Sequence, residues 1–271
     1  MRILLAGANG VIGTQIASLL RSQGHELHCP TRAQGVDALL PQTLAGLCDG
    51  IEIVVSAMGG SVSLSAPERR SYSVTNTTAN SHLLAEARSA GVRRFLYVAA
   101  HTQPGYAETA YIRSHEAFVG QLRQSGLSYT ALRPTAIFDA LAPFVDFARK
   151  GVVPLIGDGS ARTNPISARD VARAANENLK DGPTDVALGG PDILTRRQIA
   201  ELAAGTRKPF YLSAPPLIAR MNSRLVGAFH PRLGELIAFA AAASTNECVA
   251  PQYGQDKLAD YFTRLLSKGD A

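Results

Sequence analysis

The sequence predicts an α/β fold: a doubly wound parallel sheet with a smaller, mostly helical C-terminal lobe. Three observations predict it. Short apolar runs alternate with helix-period segments through the first 135 residues, the pattern of βαβ units. Two of those runs, 51–57 (IEIVVSA) and 94–100 (RFLYVAA), are nearly all apolar, as strands covered on both faces are. The first run ends in a glycine-rich turn that opens a helix. The chain divides into a sheet-and-helix unit, 1–135, and the remaining sheet elements plus lobe, 136–271, within one structural domain.

Element by element, 2–6 reads as a strand. The segment 11–23 reads as a helix, with Val11, Ile12, Ile16, Leu19 and Leu20 near helical spacing and Gly24 as terminator. Strands follow at 26–30 and 51–57, a helix at 75–90 ended by Gly91, and a strand at 94–100. A helix at 110–124 and a strand at 128–133, stopped by Pro134, complete the regular part. Beyond it the pattern loosens, with helices expected at 140–150 and 169–179. Thr195 and Gln198 make a capping box for a helix reaching about 204. Further helices are expected at 216–226, 233–243 and 256–266.

Composition excludes several classes. With 271 residues, 46% hydrophobic and 18% charged, the chain buries a core without staples and is not disordered. No apolar run approaches the roughly 20 residues of a membrane helix, and the N-terminus lacks a signal-peptide pattern, so a cytoplasmic protein without a membrane partner is expected. Cys29, Cys48 and Cys248 are three and widely spaced, which reads as ordinary thiols. The six histidines show no HxH or HExxH spacing, so no metal site is expected. The net charge of +5 is spread in pairs, Arg69-Arg70, Arg93-Arg94 and Arg196-Arg197, which read as solvated helix ends or loops. Nucleic acid is not expected as a partner.

The turn Gly7-Ala8-Asn9-Gly10-Val11-Ile12-Gly13 carries the chemistry. Gly7 permits a tight bend, Gly10 lets backbone approach a pyrophosphate, and Gly13 lets helix pack on strand. The helix start offers free N–H groups to an anion. This is the dinucleotide turn of a Rossmann-type sheet. An NAD site wants an acid at the end of the second strand; the sequence has Cys29-Pro30-Thr31-Arg32 instead. A guanidinium forks onto phosphate, so Thr31 and Arg32 point to NADP(H) over NAD(H).

With these residues the chain resembles the short-chain dehydrogenase/reductase superfamily, and within it the atypical, NmrA-like branch. The resemblance rests on GANGVIG at 7–13, on 90–98 (AGVRRFLYV), on SGLSYTALRPT at 125–135, and on 156–172 and 189–203. It implies cofactor contacts at Met58 and Gly59 (with Gly60) after the third strand, at Ala99 and Ala100 after the fourth, and at Pro134 and Thr135 (with Ala136) beside the nicotinamide. Asn76 and Asn80 read equally as solvated or capping residues and as ligand contacts. Asp139 and Asp158 form no recognisable carboxylate pair.

The superfamily's reductases use a Ser or Thr, a Tyr, and a Lys four residues after the Tyr. Here the Tyr position is Tyr111, but the residue four further on is His115, and Ala99-Ala100-His101-Thr102 stands where the Ser belongs. Tyr111 and His115 share a helix face. Tyr111 is the candidate proton donor. His115 is the candidate ribose partner, and when protonated would favour a tyrosinate. His101 or Thr102 is the candidate for the missing Ser's polar role. The expected activity is an NADPH-dependent reduction of a small carbonyl, enone or quinone-like substrate under the C-terminal lobe. The alternatives are a redox sensor that binds NADP(H) without turnover, and an isomerase or cyclase on the same fold. Monomer and homodimer both stay open.

Overall fold

The structure, a computed structural model, describes residues 1–63 and 69–268. Its centre is a six-stranded sheet. The strands are β1 (Arg2–Ala6), β2 (Glu26–His28), β3 (Ile53–Ser56), β4 (Arg94–Val98), β5 (Ser128–Pro134) and the later Asp185–Leu188. The spatial order is β2-β1-β3-β4-β5 and then Asp185–Leu188, every pair parallel. The order reverses between β1 and β3, and a ligand crevice opens at the strands' C-terminal ends there.

Strand alternation sorts the core into two layers. Ile3 and Leu5 of β1, with Ile53 and Val55 of β3, face α1 (Val11–Ser22) and the later helix Ala168–Glu177. Leu4, Val54, Phe95 and Tyr97 face the other way, onto α2 (Ala79–Ser89) and α3 (Ala110–Gln124), where Leu83, Phe118 and Leu122 are fully or almost fully buried. Each such side chain contributes about 1.5–3 kcal/mol of burial. The expected bounds 2–6 and 110–124 coincide with β1 and α3.

Several expectations need correction. The helix expected at 75–90 begins as a wide turn, Ser73–Thr78 with i to i+5 bonding, before α2 proper. The hydroxyls of this β-branched run bond backbone carbonyls instead of leaving a regular helix: Thr75 donates to Ser71 O and Tyr72 O, and Thr77 to Ser114 O across on α3. The helix at 140–150 is two, α4 (Phe138–Leu141) and α5 (Pro143–Arg149), divided where Pro143 lacks an N–H. Arg94 is not solvated. It is 3% exposed and donates to Asn178 O (3.1 Å), Ser128 Oγ (2.6 Å) and Thr130 Oγ1 (2.6 Å), tying β4 to β5. Its neighbour Arg93 is exposed and pairs with Glu52.

The second half adds strands absent from the pattern reading: β6 (Val152–Ile156), β7 (Arg162–Thr163), β8 (Asp185–Leu188), β9 (Leu194–Thr195) and β10 (Phe210–Ala214). β8 completes the main sheet, while β6–β10 and β7–β9 form two-stranded ribbons. They are short, and their pairing with distant segments supplies what local pattern does not. The helices are α6 (Ala168–Glu177), α7 (Arg196–Ala204), α8 (Pro216–Gly227), α9 (Pro231–Thr245) and α10 (Leu258–Lys268). The capping box at α7 forms as read: Gln198 N donates to Thr195 Oγ1 (3.1 Å), and Thr195 N to Gln198 Oε1 (2.8 Å). Phe138, Ile199, Leu258 and Phe262 make the lobe's own core. No helix among the described residues is long and apolar enough to cross a membrane. Cys48 and Cys248 are buried, Cys29 is half-buried, and all three are free thiols.

Gly13 packs against backbone with no room for a side chain: a Cβ there would stand 2.0 Å from Gly7 O. Gly13→Ala is therefore expected to cost about 1–3 kcal/mol through overpacking, read as a lowered urea midpoint at unchanged slope.

Candidate functional site

The turn after β1 has the geometry its glycines require. Gly7 has φ +79° and faces the β3 loop so closely that a Cβ would lie 2.7 Å from Ala57 O. At Gly10 the nearest atom to such a Cβ is Gly7 O at 3.3 Å, which leaves the outer side open. No side chain among the described residues caps α1, which leaves its first N–H groups without a capping partner.

This turn floors a cleft of about 450 Å³ at the β1/β3 switch point. Of the expected cofactor residues, Gly7, Asn9, Gly10, Thr31, Arg32, Met58 and Gly59 line it. Val11, Ile12 and Gly13 stand behind as the first turn of α1. Ala99, Ala100, Pro134 and Thr135 do not line this cleft. They are buried at the C-terminal ends of β4 and β5, where Ala99 N donates to Leu132 O (2.8 Å) and Thr135 Oγ1 to Asn164 O (2.5 Å). Thr31 starts a single 3₁₀ turn, its N and Oγ1 both donating to Gln34 Oε1. That turn presents Arg32, exposed and without a side-chain hydrogen bond or ion pair among the described residues, at the cleft rim. Asp37, Arg70 and Thr75 also line the cleft, unanticipated by sequence. Asp37 Oδ1 already accepts from Leu39 N.

The loop after β3 is held by two asparagines that are neither solvated nor caps. Both are fully buried. Asn76 Oδ1 accepts from Gly60 N (2.6 Å) and Asn76 Nδ2 donates to Ser114 Oγ (2.9 Å). Asn80 Oδ1 accepts from Ser56 Oγ (2.5 Å) and Asn80 Nδ2 donates to Met58 O (3.3 Å). The i, i+4 spacing of two Asn on one helix face was the available signal.

Beside this loop lies His115. It is 3% exposed, and Tyr97 OH stands 2.7 Å from its Nδ1. The buried Tyr97 hydroxyl has no other partner among the described residues, so this hydrogen bond ties the ring to β4. Nε2 is buried and has no hydrogen-bond partner among the described residues. The ring edge borders the loop: a Cβ on Gly59 would lie 3.9 Å from His115 Cε1. Burial, then the Arg133 charge, lowers the His115 pKa to about 3. The ring is thus neutral at neutral pH and cannot act as the cation that would favour a tyrosinate.

Tyr111 sits in an aromatic cage, its ring centroid 4.9 Å from Tyr72, 4.7 Å from His115 and 4.5 Å from Phe239 of α9. Burial, above all, holds its phenol pKa well above the ordinary value. His101 is bound by its neighbours, with the Gln103 amide 3.1 Å from Nε2 and a bond to the Val249 backbone; burial lowers its pKa. Thr102 Oγ1 is buried and has no partner among the described residues. Another residue missed by sequence is Arg232 of α9. It is 3% exposed, stacked on Tyr72 (3.5 Å) and bonded to Ser61 O, Arg70 O and Thr75 Oγ1, which closes the lobe over the loop. Among the described residues no group of three or more His, Cys, Asp or Glu is placed to hold a metal ion.

A family model described as NAD(P)H-binding matches residues 7–182, which hold the glycine turn and strands β2, β3, β4 and β5 of the main sheet. The chain belongs to this NAD(P)H-binding family. It is 25% identical over 246 residues to "NADH dehydrogenase [ubiquinone] 1 alpha subcomplex subunit 9, mitochondrial" of Arabidopsis thaliana, covering 79% of this chain and 60% of that protein. It is 24% identical over 328 residues to the chloroplastic divinyl chlorophyllide a 8-vinyl-reductase of Cucumis sativus, covering 99% and 77%. The chain thus spans about 60% of the length of the first of these relatives. Among solved structures, an Escherichia coli NADPH-dependent quinone oxidoreductase complexed with NADPH superposes with TM-score 0.70 at 16% identity, over 97% of this chain and 99% of that one. A nucleoside-diphosphate-sugar epimerase from Staphylococcus aureus superposes with TM-score 0.68 at 19% identity, over 98% and 96%. These two show the shared Rossmann-type fold.

Because the His115 pKa is lowered on folding, the unfolded chain binds more protons between about pH 3 and 6.5. The stability associated with a neutral His115 is complete above pH 6.5 and is lost as pH falls toward 3. Urea unfolding followed across this range is expected to show a shallower pH dependence in His115→Gln than in the parent chain.

Proposed function

We propose that this protein binds NADP(H) in preference to NAD(H) and reduces a small carbonyl, enone or quinone-like substrate. One observation carries the cofactor preference: Arg32 stands uncommitted at the rim of the cleft that Gly7 and Gly10 floor, where the end of β2 supplies no carboxylate. The residues fit a dinucleotide. Added Cβ atoms would fill the Gly7 and Gly13 approaches, and the α1 N–H groups and Arg32 supply donors for phosphate. The bound nicotinamide would supply the hydride; the protein orients the reactants and excludes water.

Each residue then has a defined task. The α1 start holds the diphosphate. Met58 and Gly59, clamped by Asn76 and Asn80, present backbone to the nucleotide. The His115 Nε2–H donates to a ribose hydroxyl as a neutral group. Tyr111, kept protonated by its cage, gives its proton to the oxyanion that develops on the substrate, which favours reduction over oxidation. A relative named a vinyl reductase and a structure named an NADPH-dependent quinone oxidoreductase support the conjugated end of the substrate range. The aromatic packing of Tyr111, with no lysine beside it, favours a second reading: binding of NADP(H) as a redox signal without turnover.

NADPH oxidation followed at the nicotinamide absorbance with ketones, enones and quinones separates the two. Saturable turnover is expected, falling about 100-fold in Tyr111→Phe with NADPH affinity unchanged. Tight binding with no turnover on any acceptor would establish the sensor. Arg32→Asp is expected to weaken NADPH by about 10–100-fold, the loss of a charge-assisted hydrogen bond, and to leave NADH nearly unaffected; equal losses overturn the NADP(H) preference.

A further inference from the structure

The lobe carries an apolar face that nothing among the described residues covers. On α8, Leu217, Ile218, Met221 and Leu225 are each at least half exposed. Their spacing of i, i+1, i+4 and i+8 puts them within an arc of about 100° of the helix. Phe229, just past its end, is 79% exposed. The chain entering α8 continues the surface. β10 pairs with β6 in parallel, Phe210 opposite Val152 and Leu212 opposite Pro154, and all four of these side chains are exposed. The alternate residues, Val153, Leu155 and Tyr211, turn inward to the lobe core. The ribbon's outer face is therefore apolar by strand alternation, not by accident of one residue. Contiguous exposed apolar surface of this kind marks an interaction site.

The charge around this face selects the occupant. From 206 to 234 the sequence has five Lys or Arg (Arg207, Lys208, Arg220, Arg224 and Arg232) and no Asp or Glu. Arg232 is buried, but Arg224 is exposed and lies about 20° beyond the apolar arc on the α8 wheel. There its stem can lie along apolar surface while its head reaches an anion. A symmetric dimer through α8 would set Arg224 against its own copy, and α8 itself carries no Asp or Glu to answer it. An anionic lipid surface answers both properties: acyl chains take the apolar arc and headgroups take the cations.

We propose that α8 and the outer face of the β6–β10 ribbon dock this protein on the surface of a membrane containing anionic lipid. The helix lies in the interface plane and does not cross. This revises the expectation of no membrane partner, which rested on the absence of a spanning segment.

The test is co-sedimentation of the full chain with vesicles of phosphatidylcholine, alone or with about one-third phosphatidylglycerol. Binding to the anionic vesicles is expected to exceed binding to neutral ones by about tenfold or more, and to fall in about 0.5 M salt. The double variant Met221→Glu, Leu225→Glu is expected to lose binding while keeping the parent's circular dichroism and cooperative melting, since both side chains are exposed. Arg224→Glu is expected to weaken binding to anionic vesicles only. Three results overturn the proposal. They are no binding to anionic vesicles at low salt, undiminished binding by a folded double variant, and a parent dimer without vesicle binding that the double variant converts to monomer. The last would assign the face to a second copy of the chain.

Discussion

The architecture depends on a close approach of backbone at the C-terminal ends of β1 and β3. Neither Gly7 nor Gly13 has room for a Cβ: at Gly7 it would meet the carbonyl of Ala57, and at Gly13 the carbonyl of Gly7 itself. With both absent, α1 packs directly on its own turn and the turn packs directly on the β3 loop. That contact places the unused N–H groups of α1 at the switch point of the sheet, where the crevice opens. It also lets Ile16, Ala17 and Leu20 reach Ile3 and Leu5, so one steric condition serves both the core and the site.

From that contact a buried polar chain runs across the molecule. Ser56 bonds Asn80, Asn80 bonds the carbonyls of Met58 and Asn76, Asn76 bonds Gly60 and Ser114, and Ser114 bonds Tyr111 O on α3. Polar groups this deep are costly unless paired, so their pairing fixes the position of the β3 loop relative to α3. The loop faces the nucleotide cleft and α3 carries Tyr111 and His115. The network thus sets the relation between the cleft and the Tyr111 and His115 side chains. His115 completes it as a neutral ring. Tyr97 OH is hydrogen-bonded to Nδ1, and burial beside Arg133 keeps a second proton off the ring.

Helix α9 joins the lobe to this frame by contacts of two different characters. Arg232 stacks on Tyr72 and bonds carbonyls of the loop region, while Phe239 packs on Tyr111. Both contacts come from one face of α9. α8 packs against α9 on its inner side and turns its apolar arc outward. The lobe therefore has one surface packed over the loop and another, apolar, that stands exposed.

The sequence by itself determined the sheet-and-helix order, the glycine turn and the family, because these rest on local rules. Strand and helix periods differ, three glycines at fixed spacing have few uses, and a capping box such as Thr195–Gln198 needs only four residues. β1 and α3 were legible to the residue for that reason. Tertiary structure decided the rest. β8 is four residues long and becomes a strand by pairing with β5, 50-odd residues earlier in the chain. Asn76, Asn80 and Arg94 look like surface residues in a helix or beside a strand, and only the packing around them makes them buried ties. The protonation state of His115 followed from neighbours at positions 97 and 133 that no motif connects to it. Burial and charge belong to what surrounds a residue in space, and spacing along the chain carries that information only where the neighbours are also sequence neighbours.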